Sequence, residues 1–245
     1  MTNNFEKCLG GGGCGSVFQG VLASGTRVAV KRLELDGLSG AGAGCLSMAD
    51  QMRTEVEVLS QVHHVNIVQL MGWSKDGMAP CLVYALMKGG SLQDRLACRD
   101  NVSVPLTANE RILVLSDVAR GIPYLYSEVF FIHRDVKSTN VLLDECRRGR
   151  IADFGIGRSL NVIDTGTIVT HMQTEHVMGT QVYMAPGYKN GDLSTKVDAF
   201  AFGLVVIEAL PGYAVCSPAP GHLNLMSMFE QELDTASKLV VHLDK

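Results

Sequence analysis

The chain has no run of lysine and arginine, no CxxC pair, no internal repeat and no apolar stretch long enough to cross a bilayer. Each absence removes a class of function. With 21 basic against 25 acidic residues, the net charge of −4 offers no field for a nucleic-acid backbone, so no nucleic-acid partner is expected. The seven cysteines, at positions 8, 14, 45, 81, 98, 146 and 216, are odd in number and scattered. That pattern argues against a disulfide framework and a zinc site, and points to a reducing, cytoplasmic compartment. The opening "MTNNFEKCLGGGG" lacks the apolar core of a signal peptide. "FAFGLVVIEAL" (200–210), the most apolar late segment, is too short to span a membrane and carries Glu208. It reads as a helix buried on nearly all sides, and no membrane insertion is expected.

What is present is a chain of 245 residues, 47% apolar and 19% charged, enough to bury a core as one large domain or two lobes. From Val17 to Val30 the pattern suits short strands joined by a turn at 23–25, with Ala29 and Lys31 on one face and Val28 and Val30 on the other. "GLSGAGAG" (37–44) reads as a loop. Met48, Met52, Val56 and Leu59 then form an apolar stripe at helical spacing, with Glu55 on its margin. Strand-like runs return at "NIVQLMGW" and "PCLVYALM", and Gly89–Gly90 marks a change of character. Beyond it lie a long helix over 109–127, short strands near 130–132, 141–143 and 150–152, a threonine-rich loop over about 156–180, and an apolar helix from Val197. The fold class is therefore α+β, a strand-rich half with one helix joined to a helix-rich half, and a groove between unlike halves is the natural ligand site.

Two features bear on chemistry in the first half. "GGGGCGSV" holds Gly10, Gly12 and Gly15, glycines that let backbone N–H groups approach a polyphosphate closely. Dinucleotide folds use the same spacing, but there it opens a helix; here "SVFQGVLASGTRVAVK" continues as strand, turn and strand. Lys31 ends "VAVK", and alone it would be an ordinary strand-edge lysine, just as Glu55 alone would be a solvated helix residue. In the second half, "HRDVKSTN" (133–140) sets Asp135, Lys137 and Asn140 on an apolar frame, and "DFG" follows at 153–155.

Taken in order, "GGGGCGSV", "VAVK", Glu55, "HRDVKSTN", "DFG" and "MAP" before "DAFAFG" resemble a protein kinase. Within that group "TNNF", "EVEVLSQVHHVNIVQLMGW", "CLVYALMKGGSLQDRL" and "HRDVKSTNVLLDE" are similar to the interleukin-1-receptor-associated kinase and Pelle family, to which plant receptor-like kinases are close relatives. The resemblance runs over 2–215 and implies a bilobal fold: a small antiparallel-sheet lobe over 1–88 that binds nucleotide, and a mainly helical lobe over 89–245. The second lobe would carry the activation loop over 153–187 and an incomplete set of C-terminal helices.

The resemblance also implies roles. Asp135 would be the catalytic base, Lys137 would neutralise charge on the transferred group, and Asn140 and Asp153 would hold two Mg²⁺ ions. Lys31, held by Glu55, would bridge the α- and β-phosphates of ATP under Gly10, Gly12 and Gly15. Val17, Ala29 and Leu142 would sandwich the adenine, with Tyr84 as gatekeeper, Ala85 and Met87 as hinge and Asp94 on the ribose. Leu59, Leu70, His133 and Phe154 would stack between the lobes. Asp198 would brace the backbone of "HRD", or simply cap its helix. Arg134 before Asp135 implies control by phosphate on a loop threonine, with Thr165, Thr167, Thr170 and Thr174 as the hydroxyls and Thr170 or Thr174 as the partners of Arg134 and Arg158. Ser/Thr protein substrates, adaptor or related-kinase partners and innate-immune receptor signalling follow, recruitment lying outside this chain because it holds no death domain. Five departures stand out: Gly187 for the family's glutamate, Pro123 late in a helix, Cys14 in the glycine loop, Ala201 for a serine, and Pro211. Pro123 would cost about 3 kcal/mol in a regular helix. Such scaffold damage leaves a catalytically weak kinase-fold scaffold or decoy as the alternative.

Overall fold

A computed structural model describes residues 2, 5–12, 15–33, 47–75, 79–97, 104–160 and 169–210. Cys14, the loop at 37–44, Thr165, Thr167, Pro211 and the tail to 245 lie outside the described residues.

The first part is a five-stranded antiparallel sheet of β1 (Cys8–Gly12), β2 (Gly15–Val21), β3 (Arg27–Arg32), β4 (Leu70–Ser74) and β5 (Cys81–Ala85), in the order β1-β2-β3-β5-β4. The glycine run itself forms a strand, which its composition did not announce; pairing with β2 supplies what side chains do not. At Gly15 (φ +122) an added Cβ would lie 2.3 Å from the Arg32 carbonyl oxygen, so only glycine fits this approach to β3. Val28 and Val30 are buried against Val83, while Ala29 and Lys31 face the other way, the alternation that a period of two requires.

Between β3 and β4 runs α1 (Met48–Leu59), capped by the Ser47 hydroxyl, which accepts from the Asp50 N–H. Its buried side is Gln51, Met52, Glu55, Val58 and Leu59. The stripe expected at 48, 52, 56 and 59 is thus rotated, and Glu55 sits at the centre of the buried face rather than on its margin. The reason is electrostatic: Glu55 faces inward to meet Lys31, and that contact outweighs the polarity pattern. "NIVQLMGW" is also shorter as a strand than it reads. Ile67 makes one parallel bridge to Ile151, and the strand begins only at Leu70.

The second part holds β6 (Gly90–Ser91), α2 (Leu92–Ala97), α3 (Ala108–Ser127), β7 (Phe131–Ile132), β8 (Val141–Leu143), β9 (Gly149–Ile151), β10 (Arg158–Ser159), β11 (His171–Gln173), α4 (Pro186–Lys189), β12 (Asp192–Ser194) and α5 (Lys196–Ala209). A reciprocal capping box between Thr107 and Glu110 starts α3. Pro123 does not break it. The ring is exposed, and the carbonyl it leaves without an N–H belongs to Ala119, also on the solvent side. Val114, Val118, Ile122 and Leu125 on the opposite face join Leu204, Val205 and Ala209 of α5 in the main core. That core continues upward through Phe154 to Leu59, with Leu70 packed against it, so one apolar column links α1 and the sheet to the helical part. Among the described residues no helix is long and apolar enough to cross a membrane.

Candidate active site

The site is assembled from five elements or loops. Lys31, on the half-buried face of β3, places Nζ 2.9 Å from Glu55 Oε1 of α1 and 2.7 Å from Asp153 Oδ1 of the "DFG" turn. Burial works against all three charges. For Lys31 the two carboxylates outweigh burial and raise its pKa. For Asp153 burial pushes upward, but the Lys31 charge and hydrogen bond prevail and hold the carboxyl at about 2. Glu55 is raised by burial, with Lys31 opposing and the charge of Asp153 adding. The Tyr84 hydroxyl donates to Glu55 Oε2, and burial together with that carboxylate drives the phenol well above its ordinary range.

Asp135 is held from four directions. Its Oδ1 accepts from Thr180 N (3.1 Å) and Thr180 Oγ1 (2.8 Å), and its Oδ2 from Asn140 Nδ2 (3.0 Å), with Lys137 Nζ 2.7 Å away. Lys137 also donates to Thr180 Oγ1 at 2.8 Å, so Asp135, Lys137 and Thr180 form one closed cluster. The Asn140 amide nitrogen is spent on Asp135, on both its side chain and its carbonyl, so the amide oxygen is the atom that could meet a metal ion. Ala152 N donates to the Asn140 carbonyl and His133 Nε2 meets the Ala152 carbonyl, so the Asp135–Asn140 loop is stitched to the segment that carries Asp153.

Two non-glycine residues here adopt left-handed backbone, Arg134 (φ 69) and Asp153 (φ 67). Such conformations cost roughly 1–3 kcal/mol each and persist only where the surroundings enforce them. Asp198 does so at the first. Fully buried, it accepts from His133 N and Arg134 N, each at 2.7 Å. It is not the cap of α5, since Thr195 occupies that position and Asp198 lies within the first turn. Phe154 meets His133 edge to face at 4.7 Å between ring centroids.

Of the residues assigned to the nucleotide, Val17, Ala29, Lys31 and Tyr84 share one face of the sheet by register. Val17 pairs with Lys31 across β2 and β3, Ala29 with Tyr84 across β3 and β5, and Val17, Ala29 and Leu142 are each partly exposed. Ala85 ends β5 with its N–H on the Gln69 carbonyl, and Met87 follows, its carbonyl accepting from Gly90 N. Asp94 is exposed and bonded to Ser91 Oγ at 2.6 Å. A Cβ added at Gly10 would meet nothing within 4 Å, so no packing among the described residues demands glycine there. Gly12 completes β1 opposite Gly15.

The family description "Protein kinase domain" matches residues 4–242. The chain belongs to the protein kinase family. The bilobal α+β architecture of that family is the one seen here. Similar proteins include cysteine-rich receptor-like protein kinases 37 and 44 of Arabidopsis thaliana, each 38% identical over 216 residues, or 86% of this chain. Receptor protein kinase WSS1 of Oryza sativa subsp. japonica is 37% identical over 240 residues, or 95% of this chain. The kinase chain spans 31%, 54% and 25% of those three relatives, respectively. By name the three are receptor or receptor-like protein kinases, and none is an interleukin-1-receptor-associated or Pelle kinase.

Sequence reasoning missed three polar ties in this kinase. Tyr188 Oη meets Arg134, Tyr183 Oη donates to the buried Glu208 at 2.7 Å and lies 3.2 Å from Ser138 Oγ, and Tyr126 Oη donates to the Thr195 carbonyl. A tyrosine beside apolar residues was the available signal for Tyr126 and Tyr183, whereas Tyr188, in "PGYKN", had none. The loop hydroxyls also differ from expectation. Thr170 is exposed, but Thr174 is buried, its Oγ1 turned onto the backbone of His176. Gly187 lies in α4 beside Asp192, and the chain beyond 210 contains no arginine to meet a glutamate there.

Proposed function

We propose that this kinase transfers the γ-phosphoryl group of ATP to serine and threonine hydroxyls of protein substrates. One observation carries the reading: Lys31, Glu55 and Asp153 form one ion-paired group, Asp135, Lys137, Asn140 and Thr180 form a second, and the backbone joins the two through Asn140 and Ala152. Asp135, held by Thr180 and Asn140, accepts the proton of the substrate hydroxyl as that oxygen bonds to the γ-phosphorus and the bond from phosphorus to the β,γ-bridging oxygen breaks, ADP leaving. Lys137 stands beside it to balance charge on the moving group, and Lys31 orients the α- and β-phosphates. The side-chain oxygens of Asn140 and Asp153 would hold Mg²⁺, which would supply positive charge to neutralise the triphosphate. Gly10, Gly12 and Gly15 admit the phosphates close to backbone N–H groups, while Val17, Ala29 and Leu142 take the adenine, Tyr84, Ala85 and Met87 line the hinge, and Asp94 the ribose.

Ser138 directly after Lys137, with Lys137 tied to Thr180 beside Asp135, resembles the serine/threonine form of this loop and supports those acceptors. Intracellular signalling alongside receptors and adaptor or related kinases, on the cytoplasmic side and including innate immunity, fits the receptor-like relatives and the interleukin-1-receptor-associated and Pelle motifs. The lobes over 1–88 and 89–245 divide nucleotide binding from substrate binding in this reading.

Purified chain is expected to label a generic Ser/Thr protein substrate from Mg–ATP, and Asp135→Asn or Lys31→Met is expected to lower that rate by at least about 100-fold. Labelling that survives both changes removes the proposal. A thermal midpoint raised by Mg–ATP with no labelling identifies the chain as a nucleotide-binding scaffold instead.

A further inference from the structure

Arg134 carries a charge for which the described residues supply no counter-charge. Its side chain is buried, at 7% exposure, and its polar partners are neutral: Nε donates to Tyr188 Oη at 2.7 Å and Nη2 to the His176 carbonyl at 2.5 Å, with the guanidinium 5.6 Å from the centre of the Tyr188 ring. A buried cation ordinarily demands a paired anion. Here a phenol takes that place.

The Tyr188 hydroxyl is used to capacity. It accepts from Arg134 Nε and from Met178 N at 3.0 Å, and it donates to the Met178 carbonyl at 2.9 Å. The ring, 1% exposed, is fixed among Ile132, Leu160, Leu193 and Val197. Two residues after Met178, Thr180 gives both its N–H and its hydroxyl to Asp135. Gly179 between them (φ +125) runs so close to the catalytic loop that a Cβ would stand 2.6 Å from the Arg134 carbonyl oxygen. The path from Tyr188 to the base is therefore short and without slack. Thr174 does not compete for Arg134. Its hydroxyl is turned onto His176, whose carbonyl Arg134 already uses.

We propose that Tyr188 is a positioning residue for phosphoryl transfer: its hydroxyl fills the place beside Arg134 that a loop phosphate would fill, and holds residues 178–180 against Asp135 without phosphorylation. This rests on the transferase reading above. It replaces the expectation that a phosphate on Thr170 or Thr174 orders the loop.

The test uses the full chain and Tyr188→Phe, which keeps the ring and removes only the hydroxyl, both treated with a broad-specificity phosphatase. Wild type is expected to keep its kcat after dephosphorylation. The variant is expected to lose about 10- to 100-fold in kcat, the size of a hydrogen bond to a charged group, with KM for ATP unchanged. Hydrogen exchange over 178–180 is expected to quicken in the variant. Loss of wild-type activity on dephosphorylation, or a variant with wild-type kcat and exchange, overturns the proposal. If neither protein transfers phosphate, the transferase reading fails, and exchange alone decides the tie: faster in the variant sustains it, unchanged ends it. Should Tyr188→Phe not fold, Arg134→Gln breaks the same hydrogen bond from the other side and is held to the same exchange result.

Discussion

Lys31, Glu55 and Asp153 share one small volume, and the balance of charge there sets how the protein responds to acid. Asp153 titrates at about 2 in the folded chain against an ordinary 3.8, so its ionised form is favoured by folding. A depressed carboxyl contributes stability that is complete above its unfolded value and disappears as pH falls through the folded one. The thermal midpoint is therefore expected to fall between pH 3.8 and about 2, and Asp153→Asn is expected to flatten that part of the profile. A variant as steep as wild type in that window would deny the ion pair its role. Much at this scale was legible in the sequence. Lys31, Asp135, Asn140 and Asp153 stand in short motifs whose spacing is set by the local chain. Tyr188 was not, because its partner Arg134 is 54 residues away and no local pattern encodes a contact of that span.

At the scale of elements, polarity patterns located α3 and the β2–β3 hairpin within a residue or two, since each has one face that water must not reach; the apolar run located α5 as closely but not its burial, for Lys196, Ala199 and Gly203 leave one side of it exposed. They misjudged α1, where a buried carboxylate lies at the centre of the face that hydrophobicity alone would have filled with Val56. The helix also runs on through Pro123. A proline in a helix is costly through the lost hydrogen bond and the clash with the preceding turn, but here the orphaned carbonyl belongs to a residue on the exposed side, open to solvent. What remains is the ring's clash and the unmade bond. Pro123→Ala is expected to raise stability by roughly 1–3 kcal/mol in urea unfolding, with transfer activity unchanged. A destabilised alanine variant would mean that the ring itself makes packing contacts the helix depends on.

At the scale of the whole molecule, the sheet brings the Lys31 amine, the helical part brings Asp135, Asn140 and Asp153, and the column from Leu59 and Leu70 through Phe154 into the α3–α5 core keeps them in register. The order of motifs announced this division, but not the ties that fix it. Asp198 under the catalytic loop is 65 residues from His133, and Glu208 meets Tyr183 across 25, distances at which only the folded chain brings partners together. The central claim is that one Mg-bound triphosphate occupies the space between these parts. A crystal structure with Mg²⁺ and a non-hydrolysable ATP analogue tests it most directly. Lys31 Nζ is expected on the α- and β-phosphate oxygens, Asn140 and Asp153 on the metal, and Asp135 facing the γ-phosphate. A triphosphate bound elsewhere, or bound with Lys31 still closed on Asp153 and no metal at Asn140, would contradict the account.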